Sequence, residues 1–92
     1  MADDRAQLGH MAKDLEGLCA HVSVRDDDGV PYLFAVGRKH VHSLDLRRKD
    51  GALVIEFWRG PPNADEFVNE EVAATFDDAS KLCKRWLAND AT

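Results

Sequence analysis

Apolar residues recur along this chain at changing intervals, and each change marks the start of a new element. Leu8, Met11, Leu15 and Leu18 follow one another at three- and four-residue steps, with Ala12 and Cys19 alongside. That spacing predicts a helix with one apolar stripe. Asp4 with Gln7 three residues later fits a capping box, and an early acid suits the positive end of the helix dipole. Gly9 and Gly17 each weaken such a helix by up to ~1 kcal/mol, so tertiary packing must hold it.

After Ala20 the period falls to two. Val22 and Val24 alternate with His21, Ser23 and Arg25, which predicts a strand, and Asp26-Asp27-Asp28-Gly29 ends on the Asp-Gly pair of a tight hairpin. From Val30 to Val36 both parities are apolar, with Tyr32 and Phe34 on one and Leu33 and Ala35 on the other. Such a strand is central or covered on two sides. Pro31 belongs near its start or at an unpaired position. After a turn at Gly37-Arg38, His40, His42, Leu44 and Leu46 alternate with Val41, Ser43, Asp45 and Arg47. Lys49-Asp50-Gly51 is a second hairpin turn. Residues 52–59 are rich in β-branched and aromatic types, with Leu53, Ile55 and Phe57 on one face and Val54, Glu56 and Trp58 on the other. Gly60-Pro61-Pro62-Asn63 interrupts any regular element.

Residues 64–74 carry two conflicting signals. Val68, Glu70 and Val72 alternate as in a strand, whereas Ala64, Glu66, Glu70, Glu71, Ala73 and Ala74 favour a helix. Continuation of the antiparallel meander favours the strand. The last segment is clearer: Ala79, Leu82, Cys83, Trp86 and Leu87 have the spacing of a half-buried helix, which Thr75 with Asp78, or Asp77 alone, can cap. Lys81, Lys84 and Arg85 fall on its wet side or near its negative end. The expected fold is α+β: a two-layer sandwich with an antiparallel meander of four or five strands. An N-terminal and a C-terminal helix cover one face, in the order α-β-β-β-β-(β)-α. Residues 1–92 read as one small domain with frayed ends near 1–3 and 89–92.

Composition narrows the function classes. With 45% hydrophobic and 32% charged residues the 92-residue chain has the balance of a globular domain. A net charge of -5 argues against the clustered positive field a nucleic acid requires, so no nucleic acid partner is expected. No apolar run approaches the ~18 residues of a membrane span, so no membrane partner is expected either. The acidic, polar stretch Met1–Gln7 is unlike a secretory signal, which points to the cytoplasm. Cys19 and Cys83 are then expected to be reduced, as small hydrophobes on the inner helix stripes.

His40-Val41-His42 is the most suggestive short motif. Two histidines on the same side of a strand lie about 6.5–7 Å apart along the backbone. They could supply two zinc ligands, but a structural site needs four and a catalytic site three. His10, His21, Cys19 and Cys83 show no spacing that completes the set. Shared parity with Leu44 and Leu46 favours half-buried, hydrogen-bonded histidines at the end of the core. Asp26 does not open a calcium loop, because position twelve is Gly37 where an EF-hand needs Glu. The basic residues Arg38-Lys39 and Arg47-Arg48-Lys49 fall at opposite ends of one strand. Glu70-Glu71 and Asp77-Asp78 are sequence neighbours, so they point apart or cap a helix. No nucleophile elbow or phosphate loop is present, no cofactor is implied, and no motif is specific to a family.

The remaining candidate is the sheet face that the helices leave open. Val41, Asp45, Val54, Glu56 and Trp58 belong there by alternation, with Leu33 joining if its parity turns outward. Trp58 beside Val54 and Leu33 would make an apolar patch rimmed with charge, which is how interaction sites look. The expected function is a small cytoplasmic protein-interaction module, of adaptor, chaperone or inhibitor type. It would bind a protein partner or itself through this face, without enzymatic activity. The alternative is a small-molecule or metal-dependent site around His40 and His42, with enzymatic activity.

Overall fold

The protein is described by a computed structural model covering residues 4–60 and 63–89. Helix α1 (Asp4–Leu15) buries Leu8, Met11 and Leu15. It gives way to a single 3₁₀ turn, Glu16–Leu18, where Gly17 stands. Five antiparallel strands follow: β1 (Cys19–Asp27), β2 (Val30–Gly37), β3 (His42–Lys49), β4 (Ala52–Arg59) and β5 (Glu66–Ala73). They lie side by side in sequence order in one open sheet. Helix α2 (Phe76–Asn89) closes the described chain. The α+β architecture read from the sequence is therefore the observed one, with the fifth strand present. Its helix-forming residues take the extended conformation because β4 offers a ladder, with Val72 opposite Val54 and Ala73 opposite Leu53.

Tight turns set the register. Asp28 and Gly29 have φ of 51° and 82°, and Asp50 and Gly51 have 52° and 84°. Two successive positive φ values make a type I′ turn, whose twist matches the flanking strands. The Asp-Gly pairs thus place Asp27 opposite Val30 and Lys49 opposite Ala52. Everything upstream follows: Val24 opposes Leu33, Leu33 opposes Leu46, and Leu46 opposes Ile55. These residues share the face that the helices cover, α1 over β1 and β2 and α2 over β3 and β4. Leu8, Leu15, Leu33, Leu44, Leu46, Ile55 and Leu87 form the fully buried centre. Thr75 caps α2: its Oγ1 accepts a hydrogen bond from the Asp78 backbone N–H at 3.1 Å. Cys83 lies in this core, where burial, with a smaller contribution from the Cys19 thiol, pushes its thiol up to about 12. Such a thiol is inert.

Three positions depart from expectation. Leu33 points at the helices and is 0% exposed, so it takes no part in the open face. His40 is outside β3, in a left-handed turn with φ 60° where its N–H bonds back to the Gly37 carbonyl at 3.0 Å. The strand starts only at His42, so the two histidines are not stacked along one strand. Val41 likewise precedes the strand, 42% exposed, with its carbonyl accepting the Gly60 N–H at 2.7 Å. Of the ends expected to fray, 1–3 and 90–92 fall outside the described residues, while Asn89 is helical.

Candidate functional site

The sheet face away from the helices is ordered in rows that cross all five strands. One row runs Arg25, Tyr32, Arg47, Val54, Val72, and the next Ser23, Phe34, Asp45, Glu56, Glu70. A third row runs His21, Val36, Ser43, Trp58, Phe67, and a bulge in the β4–β5 pairing brings Phe67 opposite Trp58. Four aromatic side chains therefore share this face. Arg25 lies over the Phe34 ring at 4.6 Å and Arg47 over the Tyr32 ring at 4.5 Å. Trp58 and Phe67 meet edge to face with centroids 5.4 Å apart. Flat groups packed in this way present rigid, amphipathic contact area.

A carboxyl pair occupies the middle. Asp45 on β3 is directly opposite Glu56 on β4. Burial pushes the Asp45 carboxyl up to about 7, and hydrogen bonding to Glu56 and repulsion by its charge push the same way. The Arg47 charge and the Trp58 indole pull it down without offsetting the rise. The pair can therefore hold a proton near neutrality, and it would welcome a cation or a hydrogen-bond donor from outside. Asp45 Oδ1 and Arg47 Nε are both buried without a hydrogen-bond partner among the described residues. They leave an unmatched acceptor and an unmatched donor two residues apart on the same face.

Of the residues expected on this surface, the structure brings together Trp58, Val54, Glu56 and Asp45, and excludes Leu33. Pro61 and Pro62, the segment that could have covered Trp58, lie outside the described residues. Tyr32, Phe34, Arg25 and Phe67 were not foreseen there. The available signal was the Asp28-Gly29 turn. A two-residue loop puts Val22 and Val24 opposite Ala35 and Leu33, so the apolar parity of β1 assigns Leu33 inward and Tyr32 and Phe34 outward.

At the hairpin end of this face a shallow groove of about 420 Å³ is lined by Asp27, Asp28, Val30, Arg47, Arg48, Lys49, Val54 and Glu56. Its arginines are already engaged, Arg47 with Asp27 at 3.1 Å and Arg48 with Asp4 at 2.8 Å. Asp26 at the same end is bound by Arg5, whose hydrogen bonds hold its carboxyl below the usual range. His42 is on the helix side, 9% exposed, with its ring 4.2 Å from that of Trp86. The Trp86 Nε1 donates to the Ser43 carbonyl at 2.9 Å. His42 is thus part of the packing under α2, and His40 is exposed in its turn. Among the described residues no three of His, Cys, Asp and Glu gather as a metal site.

Fold and site together define an α-β₅-α domain: a meander sheet with both helices on one side and an aromatic, charge-centred face on the other. No protein-family model, no curated protein and no solved structure matches this chain.

Proposed function

We propose that this protein is a binding module whose working surface is the open sheet face. The contacts are Tyr32, Phe34, Trp58 and Phe67, arranged around the Asp45–Glu56 pair. One observation carries the reading: both helices are spent on one side of the sheet, and the other side collects four aromatic rings and a half-buried carboxyl pair. A face that served only solvation would carry exposed, well-hydrated polar groups at its centre. Exposed large apolar residues cluster at one edge of the same face, Phe67 at 50% and Val72 at 65%. Aromatic and arginine side chains are the usual anchors of protein–protein contacts.

A photo-cross-linking residue at Val72 in the source cell tests the reading. Val72 is exposed on the working face, and Lys13 on α1 is the control on the helix side. The expected result is a discrete protein adduct from Val72, none from Lys13, and loss of the Val72 adduct when Trp58→Ala is added to a chain that still folds. Equal adducts from both positions, or none from Val72, would reject it.

A further inference from the structure

We infer that the occupant of the open face is a second copy of this chain, related by a two-fold axis that lies in the interface and runs across the strands, between the Arg47 row and the Asp45 row. The inference rests on the reading that this face is the working surface.

The charge layout selects the arrangement. Rotation about an axis across the strands keeps each strand over its own counterpart and exchanges the two rows. Arg47 of each copy then faces Asp45 of the other, and Tyr32 faces Phe34. The flanking rows exchange too, so that Asp27 meets His21, Val30 meets Val36, and Ala52 meets Trp58. The other simple choice, an axis along the strands through β3, stacks Asp45 on Asp45 in a desolvated centre, where neither acid meets a cation. Closed two-fold pairs require this kind of self-complementarity, residue i against j and j against i.

Hydrogen bonding points the same way. Asp45 Oδ1 and Arg47 Nε lack partners among the described residues. Unmade bonds of buried groups are costly. The proposed axis puts the unmatched donor of one copy over the unmatched acceptor of the other, twice per dimer. The move needed is a rotation of both side chains that brings these covered atoms to the surface and takes Arg47 off the Tyr32 ring and off the exposed Asp27 carboxylate at the edge of the face. The size also suits. Strands of eight or nine residues in a five-stranded sheet present a face of roughly 27 by 24 Å, about 650 Å², at the lower end of the roughly 600–1,000 Å² per partner of a standard interface. Two sheets packed this way form an aligned sandwich with the helices outside.

Sedimentation equilibrium from micromolar to millimolar concentration, with charge-reversed variants, tests this. Wild type is expected at twice the chain mass. Asp45→Arg and Arg47→Glu should each weaken association by about a hundredfold or more, since each breaks both symmetric contacts. The chain carrying both changes should associate with itself again and not with wild type. Hydroxyl-radical footprinting of wild type needs no variant. Tyr32, Phe34 and Trp58 should become protected as the mass doubles, while Trp86 on the helix side stays unchanged. A wild type that is monomeric throughout overturns the inference, as does a dimer insensitive to both reversals or without protection of these rings. If wild type is monomeric but Val72 still cross-links to a different protein, the second copy is wrong and the binding face stands. If neither association nor adduct is found, both fall.

Discussion

At the scale of single residues, Asp45 is the acid on the open face whose chemistry departs far from its ordinary behaviour. Its carboxyl titrates near 7, raised by burial and by Glu56 opposite. Arg47 is the charged group pulling the other way, and Phe34 on β2 brings no charge. A carboxyl raised on folding binds more protons folded than unfolded, so folding stability falls as pH rises from about 4 through 7. Asp45→Asn keeps the shape and removes the ionisation. Its melting temperature should match wild type at about pH 4 and exceed it at pH 8, measured at concentrations low enough to keep the chain monomeric. Allowing for solvent screening of a half-buried carboxyl, the gain is about 1 kcal/mol, or about 4–8 °C. A variant equally or less stable at pH 8 would mean the pair is satisfied within the monomer. Alternation along β3 and β4 placed Asp45 and Glu56 on one face, but not opposite one another. That required the Asp50-Gly51 turn, which counts the register from Lys49 and Ala52.

At the scale of elements, the turns and the first helix make opposite uses of glycine. Gly51 sits at φ 84° in its hairpin, and a Cβ there would touch nothing within 4 Å. The cost of Gly51→Ala is then conformational alone, about 1 kcal/mol. Gly9 is inside α1, with equally open space around it. There Gly9→Ala should add about 0.5–1 kcal/mol. Thermal denaturation of the two variants should move in opposite directions, and movement in the same direction would contradict one of the two backbone assignments. The helices, the first four strands and the Asp-Gly hairpins were legible in the sequence because each rests on local spacing or local turn chemistry, whereas the fifth strand, with conflicting local signals, followed only from continuing the meander onto β4. What local pattern could not carry was the longer connection between β2 and β3. There His40 adopts a left-handed turn, and the strand alternation begins only at His42. The side of the sheet on which Leu33 falls was recoverable through the first hairpin, but not from β2 alone, whose two parities are both apolar.

For the whole molecule, the raised carboxyl and the proposed dimer are two sides of one equilibrium. In the monomer Asp45 is held partly protonated near neutrality by its burial and by Glu56. In the dimer the copy's Arg47 stands over it and favours the ionised form, so its titration moves downward on association. Association must then release protons below about pH 7 and strengthen as pH rises, levelling once Asp45 is ionised in the monomer as well. Each dimer holds two such carboxyls, so the logarithm of the association constant should climb with pH at a slope of up to about 2 below neutrality and flatten above it. Dilution calorimetry in buffers of different ionisation enthalpy measures that proton release directly. Asp45→Asn should abolish it, and should weaken the dimer at pH 8 even as it stabilises the monomer. A dimer whose affinity is flat across this range would place Asp45 away from the opposing arginine. A dimer that loosens as pH rises would put it against another acid, the arrangement given by an axis along the strands.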